Sequence, residues 1–460
     1  MKEVTVSTSQ YLDYRRFVSW STVDFQNMQA AIIKEHAPHQ FTSHNSLGLY
    51  PSINLFDQAK ELDVMAWDAY PSVDEDYLNM AKCHDLIRAT KQDNFWMLEQ
   101  KNGYFNYSDY NLAITPGLVR AWGLFDISRG ANGVVYYRYR SNRWGQEQNP
   151  NGILRHDGSK RRAYFEIQQM NKELAPISEK LGKTNVQTEV ALIHSYDEIW
   201  SAMAKKQYSN FDCHKLEDDF YKVLIAKGIT PDLIDPEADL SRYKVVIAPN
   251  LILLSHKTAD NLKRFVAGGG AVVFHVRCGQ KDTANVMVDI PWPGIVRDLT
   301  GITVDEFEVF PPPADHVYNK IFFNGKEYPV RWWADVLSLN TAQAAAVYTE
   351  RFYKGTTAIT ENTVGKGKAV YFGAAGCHEL MSDYLDKLFK EFGVPVIKVP
   401  DRVYITTRYS PEVSYTFILN MGTEPQEFNP GIEGTDILTG KKIAGTIHLE
   451  PLEILIVEKK

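Results

Sequence analysis

Residues 94–103 read Asn-Phe-Trp-Met-Leu-Glu-Gln-Lys-Asn-Gly. Four apolar side chains in succession, Phe95 to Leu98, make a short run that fits a strand covered on both faces. The run ends on a carboxylate, Glu99, with polar residues and a glycine beyond it. A carboxyl group delivered by a buried strand is costly to ionise unless it is hydrogen-bonded, paired or used. Outward from this segment the same pattern repeats. Residues 40–45, 64–70 and 134–140 are further strand-like runs, and helical patterns at 55–62, 77–90 and 116–129 separate them. The last helix opens on Pro116 and stops at Gly130, the proline-in, glycine-out asymmetry of helix ends. Such alternation builds a parallel sheet with covering helices. Each strand ends in polar or aromatic residues, among them Asn45, Asp68, Tyr70, Glu99 and Tyr137. The carboxyl ends of parallel strands are where an α/β barrel places its active site. Four βα units are half of an eight-stranded barrel, which typically takes about 250 residues, and an open four-stranded piece exposes unpaired edges.

The expected organisation is three units. Residues 1–180 form half of a (β/α)8 TIM barrel. Residues 186–395 restart the alternation in an open, doubly wound α/β style, with strands at 190–195, 244–249, 271–275 and 368–373 and helices at 215–227, 256–267 and 378–392. Residues 322–328 and 344–353 look like added strands. Residues 400–460 switch to short strand-forming runs with turns between them, a small antiparallel β unit.

Composition narrows the function classes. The 460 residues carry 50 Lys and Arg against 57 Asp and Glu, a net charge of −7 that disfavours nucleic acid as a partner. No apolar run approaches the length of a membrane span. The first nine residues lack the pattern of a secretory signal, and Cys83, Cys213, Cys278 and Cys377 are too scattered for a disulfide framework or a metal knuckle. The expectation is a cytoplasmic protein without metal or organic cofactor.

Glu99, Asp68 and Glu147 place acidic groups at one end of the sheet beside Trp67, Trp96, Tyr107 and Trp144. Carboxylates mixed with flat apolar rings suit carbohydrate sites. Singly, Asp68 reads as readily as a turn former before Pro71, Glu147 as a solvated loop charge and each tryptophan as core. Gly268-Gly-Gly270 follows a helix and precedes a strand, so it reads as a helix C-cap rather than a phosphate loop. Cys377 sits at a strand-to-helix turn like a nucleophile elbow, without that motif's two glycines, and a buried thiol is the simpler account.

Longer segments carry a resemblance. Leu12-Asp-Tyr-Arg-Arg-Phe17, Leu62-Asp-Val-Met-Ala-Trp-Asp-Ala-Tyr-Pro71, Phe95-Trp-Met-Leu-Glu-Gln100 and Gly130-Ala-Asn-Gly-Val134 occur in order. They are followed by Gly145-Gln-Glu-Gln148, Gly152-Ile-Leu-Arg-His-Asp-Gly158, Tyr243-Lys-Val-Val-Ile-Ala-Pro249 and Pro293-Gly294. Together they resemble the family 42 glycoside hydrolases, bacterial β-galactosidases, over nearly the whole chain. The resemblance implies a (β/α)8 catalytic barrel, a flavodoxin-like domain used in trimer contacts and a small C-terminal β domain. It also implies a retaining mechanism, with a carboxylate nucleophile and an acid/base carboxyl group about 5 Å apart. Glu99 matches the nucleophile, Glu147 a glutamate that binds galactose hydroxyls, and Tyr107 the position of a tryptophan floor for the sugar. Asp68 and Asn45 complete the expected substrate-binding set. Pro150 stands where the family tends to carry a sugar-binding histidine, which bears on the preference for galactose. Members carry the acid/base glutamate after an asparagine on the fourth barrel strand, and no Asn-Glu dipeptide occurs in this sequence. The strands counted above then correspond to the fifth to eighth, and the half-barrel bearing the acid is expected from elsewhere, for instance from a partner chain. The expected function is hydrolysis of terminal β-D-galactosides by a homotrimer. The alternative is a catalytically silent sugar-binding or oligomerisation subunit.

Overall fold

The computed structural model describes residues 7–105, 110–206, 208, 212–311 and 316–459. The chain begins with a long helix, α1 (Thr8–His36), whose start is capped by the Ser7 hydroxyl. Leu12, Ser19, Val23, Gln26 and Ala30 form its buried stripe. That stripe is fastened by Gln58 Nε2 donating to Gln26 Oε1 at 3.0 Å and by Arg16 forking onto Asp197 at 3.1 and 2.5 Å. A second apolar stripe, Tyr14, Phe17, Phe25, Met28 and Ile32, faces solvent. No helix is foreseen at residues 8–36 in the sequence, because apolar residues on two faces blur the one-sided 3.6-residue period that marks a surface helix.

Four parallel strands follow, β1 (Asn45–Ser46), β2 (Ala66–Ala69), β3 (Phe95–Lys101) and β4 (Ala131–Tyr137), hydrogen-bonded in that order. Between them run α2 (Leu55–Ala59), α3 (Leu78–Lys91) and α4 (Leu118–Ser128). The strand expected at 40–45 is only its last residue and one more. Residues before it are held outside the ladder, where Asp63 accepts from the Thr42 N–H and hydroxyl at 2.8 and 2.9 Å. The strand expected at 134–140 starts and ends three residues earlier. Among the described residues neither β1 nor β4 has a further strand partner in this sheet.

In the next unit five parallel strands lie in the order Asp232–Ile234, Val190–Ile193, Val245–Ala248, Ala271–His275, Gly367–Phe372. In chain order this is 2-1-3-4-5, the flavodoxin-like winding. Antiparallel strands extend the sheet through Thr357–Val364, Gln343–Tyr348, Asn319–Phe323 and Lys326–Val330. The last two correct the expectation of one strand at 322–328. Asn324 (φ 48°) and Gly325 (φ 82°) form the two-residue turn between them, both in the left-handed region that an Asn-Gly hairpin requires. The glycine triplet caps a helix as expected: Gly269 (φ 118°) ends His256–Gly268. The C-terminal residues make an antiparallel sheet of Val403–Tyr409, Ser414–Asn420 and Ile454–Lys459 with short edges, which also takes in Asn185–Val186.

Buried charges join the three units. Asp85 on α3 is fully buried and accepts from Arg88 Nη1 at 2.5 Å, Tyr221 Oη at 2.7 Å and the Arg129 guanidinium. Arg88 continues to Asp232 at 2.9 Å, and Arg129 to Thr406 Oγ1 at 3.3 Å. Arg408 is buried and donates to neutral groups, the carbonyls of Ile127, Ala131, Leu181 and Thr184 and Asn132 Oδ1, over 2.6–3.1 Å. Burial pushes its pKa down to about 9. Replacing Asp85 by Ala takes the carboxylate from the buried Arg129 guanidinium and leaves Arg88 with Asp232 alone, so the expected loss is about 3–5 kcal/mol of stability. Thermal unfolding checks this, and an Asp85→Ala protein melting within a degree of the parent would contradict it.

Candidate active site

β1, which Asn45 opens, and the carboxyl-terminal parts of β2 and β3 bring Asn45, Asp68 and Glu99 together. Asp68 and Glu99 are paired residues across the parallel ladder. Asn45 Nδ2 bridges them, donating to both oxygens of Asp68 at 3.0 Å and to Glu99 Oε1 at 3.3 Å. The other Glu99 oxygen accepts from the Tyr70 hydroxyl at 2.5 Å. Tyr70 lies two residues after Asp68 and therefore on the same face, and its ring stacks on Phe105 with centroids 3.9 Å apart. Burial, followed by the Glu99 carboxylate, drives the Tyr70 pKa far up, so this hydroxyl is a donor at any ordinary pH.

Glu99 reaches this face because β3 is irregular. Met97 pairs with Trp67 and Glu99 with Asp68, so two steps on β3 answer one on β2. On the other side Met97 pairs with Val134 and Gln100 with Tyr136, three steps against two. The extra residue, a β-bulge, lies between Met97 and Glu99. Bulges re-aim side chains. Without it Glu99 would share a face with Phe95 and Met97, both wholly buried against the helices.

Asp68 is the perturbed acid of the group. Its pKa is pushed up to about 6, first by burial and further by Glu99, against the lowering effect of the Asn45 amide. Glu147 approaches from beyond β4 on the short turn Gln146–Gln148. Its carboxylate accepts from the Tyr137 hydroxyl and the Arg138 guanidinium, and it contributes to the field at Tyr70. Four expected site residues thus face one region, and Tyr107 lies outside the described residues. Two contacts were not foreseen. Tyr70 was detectable from its i+2 spacing to Asp68, whereas Arg138 carries no local signal that it would turn back onto Glu147.

Of the tryptophans expected beside the acids, Trp67 is corrected. Trp67 is buried and edge-on to His84, 5.2 Å between ring centres, in the helix layer. Trp96 packs on Phe41 at 5.4 Å. Trp144 is exposed with the Arg143 guanidinium 4.9 Å over its ring. Cys377 is completely buried, and burial drives its thiol pKa far up, the state of an inert structural cysteine. Among the described residues no group of three or more His, Cys, Asp or Glu side chains is gathered as a metal site, and no helix is long and apolar enough to cross a membrane.

Residues 2–177 match a family model described as beta-galactosidase, residues 188–395 one described as beta-galactosidase trimerisation domain, and residues 403–459 one described as beta-galactosidase C-terminal domain. Beta-galactosidase BgaP of Planococcus sp. (strain L4) is 30% identical over 97% of this chain and 68% of its own length. The chain belongs to the family 42 glycoside hydrolases. Beta-galactosidase bgaB of Geobacillus kaustophilus is also 30% identical, and this family 42 chain spans 62% of that relative's length. Among solved structures, a beta-galactosidase from Bacillus circulans sp. alkalophilus superposes with a TM-score of 0.93 at 29% identity, covering 98% of this chain and 68% of that one. The α/β fold and the C-terminal β domain are those of family 42 structures.

A carboxyl group with its pKa raised from 3.8 to about 6 binds its proton more tightly folded than unfolded. As pH rises from about 4 to 6 the unfolded state loses the proton first, so wild-type stability falls through that window. Asp68→Asn removes this cost. The variant should gain melting temperature over wild type progressively between pH 4 and 6, with no gain below pH 4 and a constant one above about 6.5. A pH-independent difference would refute the assignment.

Proposed function

We propose that this chain carries the nucleophile half of a retaining β-galactosidase, with Glu99 attacking the anomeric carbon of a terminal β-D-galactoside. The observation that supports it most is the placement of Glu99: a strand-end carboxylate held by Tyr70 at 2.5 Å and Asn45 at 3.3 Å. Two donors hold the attacking group in one orientation, which lowers the entropic part of the barrier. Asn45 and Asp68 then bind sugar hydroxyls. Asp68, held near pH 6, donates as well as accepts in weakly acidic solution. Glu147, gripped by Tyr137 and Arg138, binds galactose hydroxyls from the far side, and Tyr107 supplies an aromatic floor.

The acid/base group comes from four further βα units outside these 460 residues, which close the sheet into a (β/α)8 barrel. Three observations favour that completion. The sheet is parallel with both edges unpaired among the described residues. The second stripe of α1 leaves Tyr14 61%, Phe17 59% and Phe25 56% exposed, far more apolar surface than one surface helix ordinarily shows water. The relatives' additional length gives the closing units room. The name of the family matching residues 188–395 supports a homotrimer as the working assembly.

Loss of a positioned acid costs about 10²–10⁴ in rate with ordinary leaving groups and much less with one that needs no proton. Hydrolysis of 2,4-dinitrophenyl β-galactoside by this chain should therefore depend on Glu99, disappear in Glu99→Gln and rise with azide, which resolves the glycosyl-enzyme. Turnover indifferent to Glu99→Gln would sink the assignment. Galactose binding without any turnover would favour the second reading, a silent sugar-binding or oligomerisation subunit.

A further inference from the structure

Glu99 and its neighbour Gln100 face opposite sides of β3, and the bulge decides which of them occupies which side. Phe95 and Gln100, five apart, would face opposite sides of a regular strand. Here both enter the helix layer. The Phe95 ring centre lies 5.5 Å from that of His84. Gln100, with its amide oriented to satisfy its neighbours, donates to Asp126 Oδ2 at 3.0 Å and accepts from the Lys101 N–H at 3.3 Å. Asp126 Oδ1 in turn meets His84 Nε2 at 2.9 Å. His84 on α3, Asp126 on α4 and Gln100 are each 0% exposed.

A slip of one residue that absorbed the bulge would put the Glu99 side chain into the place Gln100 now fills. The socket discriminates between the two. It offers an amide a carboxyl group and a backbone N–H, whereas a glutamate there would have to give up its charge or carry it wholly desolvated beside Asp126. We propose that Asp126 and His84 form a register lock: by seating Gln100 in the helix layer they hold Glu99 on the open face. They are positioning residues, since they act through β3 and touch neither sugar nor reacting atom. The proposal rests on the reading of Glu99 as nucleophile only for its catalytic consequence; the lock itself is a statement about strand register.

The polarity of the chain supports a lock of uncharged groups. Among the described residues His84 Nδ1 has no hydrogen-bond partner, which puts the single ring proton on Nε2, pointing at Asp126. Burial pushes Asp126 well up and His84 well down, so both favour their neutral forms. A protonated Asp126 would be met by the Gln100 amide turned over, its oxygen now accepting. Asparagine at position 126 reproduces that arrangement, with its oxygen toward His84 and its nitrogen toward Gln100. Leucine fills the same space and offers neither contact.

The test compares the full chain with its Asp126→Asn, Asp126→Leu and Gln100→Met variants, with Glu99→Gln as control. The probe is 2,4-dinitrophenyl 2-deoxy-2-fluoro-β-galactoside. A Glu99 oxygen forms a bond to the anomeric carbon as the bond to the aryl oxygen breaks, and dinitrophenolate departs as a stable anion without needing a proton. Mass spectrometry of the 95–101 peptide reads the label. The expected result is labelling of wild type and of Asp126→Asn at rates within about threefold. Asp126→Leu and Gln100→Met should label more than about tenfold slower at saturating probe, with half-saturation unchanged, as misaimed reacting groups do. Wild-type labelling rates in both of those variants would overturn the lock. Should wild type itself take no label on Glu99, the nucleophile reading fails in this chain, and the lock is decided by amide hydrogen exchange. Protection of residues 95–101 should then fall in Asp126→Leu and Gln100→Met but not in Asp126→Asn, while residues 271–275 stay protected. Unchanged protection in all variants, or a loss shared equally by both strands, overturns it.

Discussion

One buried carboxylate carries much of the architecture. Asp85 meets two arginines and a tyrosine from different parts of the chain, and through them the strand-and-helix unit, the doubly wound sheet and the C-terminal β sheet are fixed to one another. Buried ions are tolerated only where partners converge on them. The geometry of convergence therefore leaves little freedom in how α3 and α4 stand over β2 and β3. Those helices form the rear wall of the candidate site, and their position sets where Asp68 and Glu99 emerge.

The front of the site obeys a different constraint. Parallel strands present alternate side chains to opposite layers, and a strand that must put Phe95, Met97 and Gln100 into the helices while sending Glu99 the other way cannot remain regular. The bulge resolves that conflict. Apolar burial, a polar socket and an acidic strand end agree on one register, each for its own reason, and such agreement across levels marks a sequence that specifies a single structure.

Much of this was legible in the residues. Short apolar runs ending in polar groups located β2 and β3 closely and β1 and β4 with shifted ends, and the helix His378–Phe392 and the strand Ala271–His275 lie where their patterns place them. Glu99, Asp68 and Asn45 could be grouped because parallel strands share a carboxyl end. What could not be read depends on contacts distant in sequence. The two-faced α1 hides its period, Trp67 turns to His84 instead of to the open face, and Arg138 folds back on Glu147 across nine residues. The hairpin turn at Asn324-Gly325 was readable in principle, since that dipeptide favours positive φ at both positions.

Arg408 has a bearing on the order in which the molecule is completed during synthesis. Its guanidinium satisfies the carbonyls of Ile127, Ala131, Leu181 and Thr184, groups made 281 and 277 residues before it in the case of Ile127 and Ala131. Until the ribosome has delivered the C-terminal sheet, those oxygens at the foot of β4 must keep water. Closure of this part of the strand-and-helix unit thus waits for residues made long after it.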